Sequence, residues 1–201
     1  MSEGTDRKLG QTSAPLGVTG NELEDEIKNG VNLTKYREFI EAVKQEPVSG
    51  LKRLQVEGEW LSDGLAPHFS AFLDAESGKV RVEFDEPQFL GGGFKAPNPN
   101  QYCLAGAVAC YASSFSKWAA MSGINIRRLA INAAANIDMS KSLGVSENPP
   151  VEAIEYEVIV DSDATTEELQ RIKELADERC PGVYCLTHAL KLDIKLRRIE
   201  K

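Results

Sequence analysis

The feature that most constrains the fold is a long apolar helix predicted near the middle of the chain. Pro97-Asn98-Pro99 marks its start, because proline is favoured in the first turn of a helix and disrupts later turns. Ser122-Gly123 marks its end. Between Leu104 and Ala112 this helix is apolar on nearly all sides, and helices of that kind are normally buried. We therefore expect a long central helix, about residues 99–121, with its apolar part enclosed.

Three segments before this helix alternate between apolar and polar residues, the pattern of half-buried strands. They cover about residues 54–60, 68–73 and 80–84, and glycine-containing turns at 62–64 and 76–78 separate them. In the third segment Val80, Val82 and Phe84 would face a core while Arg81 and Glu83 face water. These patterns predict an antiparallel meander of three strands.

The second half of the chain repeats the combination of strands and helix. Residues 126–138 and 151–160 predict two paired strands, and residues 163–166 predict the cap of an amphipathic helix that runs to Arg179. Residues 189–198 alternate strictly and predict a final strand. The predicted order β-β-β-α-β-β-α-β defines an α+β protein of two halves, each setting a helix against an antiparallel sheet.

The N-terminal region differs from the rest. Residues 1–20 predict a disordered tail, because they lack apolar periodicity and contain several breakers. Residues 21–49 predict a helical extension that is interrupted near Asn29-Gly30, with Asn32 or Thr34 as a candidate N-cap. The main domain is then expected over residues 50–201.

Charge and composition exclude several classes of function. Against 31 Asp and Glu there are only 23 Lys and Arg among 201 residues, a net charge of -8, which does not suit binding to a nucleic acid backbone. No segment has the apolar core of a signal peptide or the length of a membrane span, so we expect a cytoplasmic protein without membrane contact. The four cysteines are then expected to be reactive or buried thiols rather than structural bridges.

The cysteines are the residues best able to carry chemistry. Cys103 and Cys110 share a face of the predicted helix but lie about 10 Å apart along its axis, too far to bridge each other. Cys180 stands where its helix ends, before Pro181, and Cys185 is placed at the start of the next strand. A packing role is the simpler interpretation of Cys103 and Cys185. Neither Cys185 nor the two histidines show metal-ligand spacing, so no metal site is expected.

Several of these residues together resemble a known family. They are Leu90-Gly91-Gly92-Gly93, Asn98-Pro99, Ala105-Gly106-Ala107, Ala109-Cys110 and, about seventy residues on, Cys180-Pro181. The chain, from about Leu54 to its C-terminus, resembles the OsmC and organic-hydroperoxide-resistance family. The resemblance implies an intertwined homodimer with active sites at the subunit interface, and no cofactor.

The resemblance also implies a reaction. Cys110 matches the peroxidatic cysteine and Cys180 the resolving one. The Cys110 thiolate would attack a small organic hydroperoxide or another apolar electrophile, and the resulting sulfenic acid would condense with Cys180 to a disulfide, which a dithiol reductant must reduce. Such chemistry needs a lowered pKa at Cys110, an apolar pocket and a second thiol within reach.

The chain departs from the family at two supporting positions. An arginine from the first hairpin and a glutamate directly after Asn-Pro support the thiolate in hydroperoxide-reducing members. Here Leu61 or Ser62 stands in place of the arginine, and Asn100 in place of the glutamate. A member without this pair is expected to lose the most obvious stabilising charge on its thiolate.

Other residues are candidates for that supporting role. Lys95 is the first candidate for a replacement cation, with Arg53 and Arg179 behind it, and Lys95 is equally compatible with a solvated loop position. Asn100 retains hydrogen-bonding capacity, and Cys103 would add a third thiol on the face of Cys110. Phe89 and Phe94 flank the glycine loop and either line a pocket over Cys110 or belong to the core.

Two functions remain open from the sequence. One is a thiol-dependent hydroperoxide reductase that uses Cys110 and Cys180. The other is a non-enzymatic homodimer that keeps the fold and binds an apolar small molecule or a thiol metabolite.

Overall fold

The computed structural model describes residues 25–64 and 67–199. The predicted tail at 1–20 and residues 21–24 lie outside these ranges. The elements, in chain order, are β1 Ile27–Lys28, β2 Val31–Asn32, α1 Leu33–Gln45, β3 Glu57–Trp60, β4 Phe69–Ala75, β5 Gly78–Phe84, α2 Pro99–Met121, β6 Ile126–Ile137, β7 Val151–Ser162, α3 Thr166–Arg179 and α4 Pro181–Thr187. No described helix is long and apolar enough to cross a membrane.

The predicted meander is confirmed. Strands β3, β4 and β5 form an antiparallel sheet in that order, with Gly58 opposite Ala71 and Ala71 opposite Val82. A Cβ on Gly58 would stand 2.4 Å from the Phe69 ring and 2.9 Å from the Ser70 carbonyl oxygen, so a larger residue here would have to displace both the ring and the neighbouring strand. The Phe84 ring on β5 packs 4.2 Å from the ring of Tyr102 and so joins the sheet to the start of α2.

The predicted pair of strands in the second half is also confirmed. Strands β6 and β7, of 12 residues each, pair antiparallel. Helices α2 and α3 pack together with this pair around a core whose buried residues are Tyr111, Phe115, Ala119, Ile172, Ala176 and Cys180. The described core therefore lies in the second half of the chain and includes one of the cysteines.

Helix α2 has the predicted bounds but not the predicted burial. A reciprocal capping box fixes its start, because the Asn98 side chain accepts from the N–H of Gln101 at 2.8 Å and the Gln101 side chain accepts from the N–H of Asn98 at 3.0 Å. Only its second half is well buried, through Tyr111, Phe115, Ala119 and Ala120. The segment 104–110 is exposed or half-buried, so the expectation that it is enclosed is wrong for the single chain.

The N-terminal extension is only partly helical. Residues 27–32 form the hairpin β1–β2, so the helix predicted across them is wrong. Asn29 and Gly30 both have positive φ, 51° and 74°, as the tightest hairpin turns require. The predicted N-cap Asn32 is confirmed, since its side chain accepts from the N–H of Lys35, and α1 begins at Leu33.

The C-terminal segment differs from its predicted structure. Residues 188–199 have no regular secondary structure, and helix α4, which the sequence did not predict, precedes them. Cys185 therefore lies in α4 rather than at the start of a strand. The alternation of residues 189–198 is present, but a strand forms only where its backbone groups pair, and this segment pairs with none of the described strands.

Candidate thiol site

Folding brings Cys110 and Cys180 together. Their Sγ atoms are 3.5 Å apart, although the residues are separated by 70 positions in the chain. Both are free thiols, and Cys180 is 1% exposed whereas Cys110 is only half-buried. The packing of α3 and α4 against α2 creates this pair. The two sulfur atoms need to move only slightly closer to reach the disulfide bond length of about 2.05 Å.

The junction of α3 and α4 holds Cys180 in place. Its N–H donates to the carbonyl of Ala176 at 3.0 Å and closes α3, and Pro181 then begins α4. A Cβ on Gly182 would stand 3.0 Å from the Cβ of Cys110 and 3.3 Å from its Sγ. Glycine at 182 thus lets the first turn of α4 rest directly against Cys110.

Cys180 is the more acidic thiol of the pair. Burial acts to raise its pKa, but several hydrogen bonds outweigh burial and bring the pKa below the ordinary value of a thiol. The donors are the backbone N–H groups of Val183 and Gly182, the Ser114 hydroxyl and the Cys110 thiol. The structure thus favours a thiolate at Cys180.

Cys110 differs from what the resemblance implied. Burial raises the pKa of the Cys110 thiol, against the opposing effects of the Gly182 N–H and the charge of Lys117. The acidity order within the pair is therefore the reverse of the expected one. Because the sulfurs lie within hydrogen-bonding reach, the pair can hold one proton and one negative charge between them.

Lys117 is a cation near Cys110 that the sequence interpretation missed. It follows Cys110 by seven residues, so it lies on the same face of α2. Its ammonium sits over the ring of Tyr36 in α1, 5.9 Å from the ring centre, and within the described chain it forms no ion pair with a carboxylate. The spacing of seven residues was the signal that would have found it.

The predicted replacement cations lie elsewhere. The Arg179 guanidinium stacks over the Trp118 ring at 4.7 Å, and Arg53 is exposed. The Lys95 side chain is exposed, and its backbone N–H donates to Asp85 at 2.9 Å. Asn100 and Cys103 are exposed in the first two turns of α2, so the fold does not bring them to the cysteine pair.

Phe89 and Phe94 lie on the loop between β5 and α2. They are 78% and 59% exposed and do not belong to the core, contrary to the second interpretation of the sequence. Nor do they line the large cavity described below. Phe94 has a positive φ of 53°, an uncommon conformation for a bulky residue.

Asp85 organises this loop. Its carboxylate accepts from the backbone N–H groups of Lys95 and Glu86 at 2.9 Å and of Gly93 at 3.4 Å, and His68 Nδ1 lies 3.0 Å from it. These donors, the Lys95 N–H above all, hold the pKa of Asp85 below its usual value. Hydrogen bonds to one buried carboxylate therefore hold the loop that precedes α2.

A cavity of about 720 Å³ lies beside the cysteine pair. Its apolar lining comes from β7 and α4, and the residues are Val151, Ile154, Val158, Val183 and Leu186. Tyr111 and Tyr156 also line it, as does Cys185, and the Tyr111 hydroxyl donates to Asp177 at 2.7 Å. Neither Cys110 nor Cys180 is part of the lining, but Tyr111, Tyr156 and Val183 pack in the cluster that holds both cysteines.

These features define an OsmC-like protein: a family model described as OsmC-like protein matches residues 91–195. The chain belongs to this family, which confirms the resemblance found in the sequence. An uncharacterised protein of Haloferax volcanii is 29% identical over 99 residues, which are 49% of this chain and 69% of that protein.

Solved structures show the same fold. An OsmC-like protein of Mycoplasma pneumoniae has a TM-score of 0.53 and 19% identity, covering 67% of this chain and 87% of that one. The organic hydroperoxide resistance protein OsmC of Legionella pneumophila has a TM-score of 0.51 and 16% identity, covering 69% and 91%. At these identities the likeness establishes an α+β fold with antiparallel sheets, and the reaction has to be argued from the site.

Proposed function

We propose that this protein is a cysteine-based reductase of organic hydroperoxides, with Cys110 as the peroxidatic and Cys180 as the resolving thiol. The observation that carries the proposal is the 3.5 Å separation of the two free sulfurs beside an apolar cavity. Family membership supports it, and so does the structural likeness to the organic hydroperoxide resistance protein of Legionella pneumophila. The net charge of -8 favours a small molecule over nucleic acid as the partner.

Access decides which thiol attacks. Cys110 is half-buried and Cys180 is 1% exposed, so a peroxide reaches Cys110 first. The Cys180 thiolate accepts the proton of Cys110 as the Cys110 sulfur attacks the terminal oxygen of the hydroperoxide. The O–O bond breaks, an S–O bond forms, and the departing alkoxide takes the proton from Cys180 and leaves as alcohol.

The second step closes the disulfide. The regenerated Cys180 thiolate attacks the Cys110 sulfenic acid, and hydroxide leaves and takes up a proton to form water. The two sulfurs together lose the two electrons that reduced the peroxide. A dithiol reductant restores the pair by thiol–disulfide exchange, which fits a reducing compartment such as the cytoplasm.

The proposed assembly is a homodimer. Apolar residues are exposed on the β3–β5 sheet, along the first half of α2 and in the C-terminal segment, and the last of these pairs with none of the described strands. Exposed apolar residues in such number favour burial against another chain. A second copy that covers these surfaces would enclose the segment 104–110 and supply a partner strand for 189–198.

One observation favours the alternative, a non-enzymatic dimer that binds an apolar small molecule or a thiol metabolite. Burial raises the pKa of the Cys110 thiol, and Asn100 and Leu61 or Ser62 stand where charged residues would support it. In this alternative the cavity is kept and the thiols are not turned over.

Mass spectrometry with peptide mapping tests the proposal. Reduced protein is treated with one equivalent of cumene hydroperoxide or, in parallel, hydrogen peroxide. We expect a rapid Cys110–Cys180 disulfide that forms faster with the organic peroxide, is absent in Cys110→Ser, and persists in Cys103→Ser and Cys185→Ser. In Cys180→Ser, dimedone should trap a sulfenic acid on Cys110.

Two results would count against this proposal. Thiols that stay reduced would favour the binding alternative. A dimedone adduct on Cys180 in the Cys110→Ser variant, with none on Cys110 in Cys180→Ser, would reverse the assignment of the two cysteines.

A further inference from the structure

Ser114 is a polar side chain at the buried member of the cysteine pair. It follows Cys110 by four residues on α2, so the two side chains lie on the same face of the helix, one turn apart. Cys180 packs on that face, with its sulfur 3.5 Å from the Cys110 sulfur. The Ser114 hydroxyl donates a hydrogen bond to the Cys180 sulfur. The serine and the two cysteines therefore form one polar cluster where α2 meets α3 and α4.

This hydrogen bond lies in a sheltered place. Cys180 is 1% exposed and Ser114 is half-buried. A charged sulfur withdrawn from water depends on donors from the protein, and hydrogen bonds to a charged acceptor are stronger than those between neutral groups. Among the donors to Cys180, Ser114 is the one that a substitution can remove without changing the backbone or either cysteine.

Two tyrosines also face Cys180, Tyr111 from α2 and Tyr156 from β7. Burial raises the pKa of both, so they are neutral in the pH range in which thiols ionise. The Tyr111 hydroxyl donates to the Asp177 carboxylate of α3 at 2.7 Å, and Lys173 donates to the same carboxylate at 2.5 Å. The tyrosines therefore bring no charge to the sulfur, and the charge of Asp177 is paired.

The cations of the neighbouring helices act elsewhere. The Arg179 guanidinium, on the residue before Cys180, stacks over the Trp118 ring at 4.7 Å. The charge of Lys117 lowers the pKa of the Cys110 thiol. Hydrogen bonds, rather than a neighbouring cation, thus stabilise negative charge on Cys180.

We propose that Ser114 is a positioning residue of the thiol pair, whose hydroxyl holds the negative charge of the pair on the Cys180 sulfur and leaves the proton on the accessible Cys110. Its part in turnover rests on the proposed function, in which the Cys180 thiolate accepts the Cys110 proton. Ser114 keeps its own proton throughout, so the balance of protons in that reaction is unchanged.

This role fits the departures of the chain from its family. Asn100 and Leu61 or Ser62 stand where charged residues would support the Cys110 thiolate. In this chain the support acts on the other sulfur, and Ser114 provides it from the helix that carries Cys110.

The ionisation of Cys180 tests the proposal without relying on peroxidase activity. The ultraviolet absorbance of the thiolate is followed between about pH 6 and pH 9 in full-length protein whose other three cysteines are replaced by serine. Adding Ser114→Ala should move the ionisation of Cys180 to higher pH, because the donor that stabilises the thiolate is gone. Ser114→Thr keeps a hydroxyl and should restore the parent curve.

Ser113→Ala is the matched control, since Ser113 is the neighbouring serine of α2 and is exposed. It should leave the ionisation of Cys180 unchanged. In urea-unfolded protein all these variants should titrate alike, because the hydrogen bond exists only in the folded chain.

A second measurement uses cumene hydroperoxide and protein with all four cysteines. At neutral pH, Ser114→Ala should form the Cys110–Cys180 disulfide about two- to threefold more slowly, because less thiolate is present and the greater basicity of the remaining thiolate offsets only part of the loss. The difference should shrink as the pH rises. A serine that only fills space would change the rate by the same factor at every pH.

The outcomes separate this proposal from the proposed function. A Cys180 that ionises alike in the parent and in Ser114→Ala, or an equal shift in Ser113→Ala, overturns the role of Ser114 even where the disulfide forms. A shift that is specific to Ser114→Ala, in a protein that never forms the disulfide with peroxide, supports that role and removes the peroxidase function.

Discussion

Cys110 and Cys180 share one backbone hydrogen-bond donor, but most of the donors around the pair act on Cys180. Gly182 N–H acts on both sulfurs, whereas Val183 N–H and the Ser114 hydroxyl act on Cys180 alone. The more protected sulfur therefore receives most of the stabilisation, and the more accessible one keeps its proton. In the proposed reaction, the Cys180 thiolate would therefore act as a base beside the Cys110 thiol.

Lys117 offers a test of how charge acts on the Cys110 thiol. In a Cys180→Ser background, Lys117→Met should raise the pKa of Cys110 further, because it removes the cation whose charge lowers that pKa. At pH 8 the alkylation rate of Cys110 should fall by up to about twofold, because a smaller fraction of the thiol is then ionised and the charge of Lys117 is the weakest of the influences on it. The measurement is the pH profile of iodoacetamide alkylation.

The control for this experiment is Lys95→Met, which removes an exposed lysine of the β5–α2 loop. It should leave the profile unchanged. Equal slowing by both substitutions would mean that net charge rather than the position of Lys117 sets the reactivity.

At the residue scale, the sequence predicted the cysteines better than their surroundings. Helix geometry excluded a bridge between Cys103 and Cys110, and the family resemblance supplied Cys180 as the partner. Lys117 follows Cys110 by seven residues, so the sequence contained the signal that places it on the same helix face. Its position over the Tyr36 ring depends on how α1 packs, which the sequence did not predict.

The hairpin β1–β2 is the element that joins the N-terminal extension to the main domain. The Asn29 side chain donates to the carbonyl of Ile124 at 3.0 Å and accepts from the N–H of Ile126 at 2.9 Å. Lys28 donates to the carbonyl of Gly123 at 2.6 Å, and Leu33 at the start of α1 is fully buried. The extension therefore caps the turn that connects α2 to β6.

Asn29→Gly should reveal the strength of this attachment. Glycine accepts the positive φ at this position, so the substitution removes the two hydrogen bonds without adding backbone strain. We expect a loss of about 1–3 kcal/mol in the free energy of unfolding, measured by urea titration. Lys28→Ala, which removes the more exposed contact to the same turn, should cost no more than about 0.5 kcal/mol. A similar cost for both would contradict an attachment centred on Asn29.

Elements defined by local signals were predicted well. The period of two in β3–β5 and the caps of α2 and α3 need only neighbouring residues, and those elements formed where expected. The helix predicted over residues 27–32 was wrong because their apolar spacing fits a helix, whereas Asn29-Gly30 favours a hairpin turn. Helix α4 was not predicted, because the strict alternation of residues 189–198 indicated a strand and Cys185 was placed at the start of that strand.

The whole molecule leaves much apolar surface uncovered. Leu192 and Leu196 in the C-terminal segment are 81% and 99% exposed, and Trp60 on β3 is 57% exposed. The segment 104–110 of α2 is uncovered as well. The sequence predicted that the apolar part of α2 would be enclosed and that residues 189–198 would form a strand, and within the described chain neither has a covering partner. The proposed second copy would supply one.

Light scattering on a sizing column tests the proposed assembly. We expect a mass of about twice 22.0 kDa for the wild type at micromolar concentration. Leu192→Lys combined with Leu196→Lys should shift the protein toward the single-chain mass, because it places charges on surface that a second copy would bury. Lys191→Gln with Lys195→Gln alters the opposite side of the same alternation and should keep the larger mass. A wild type of single-chain mass would contradict the homodimer.

The donors around Cys180 also have a consequence for redox poise. Whatever stabilises the dithiol form relative to the disulfide makes the disulfide a stronger oxidant, by about 30 mV for each tenfold gain in stability. Val183 N–H, Ser114 and Gly182 N–H stabilise a thiolate that exists only in the reduced pair. A disulfide between Cys110 and Cys180 would accordingly be easier to reduce than one formed from two thiols of ordinary pKa.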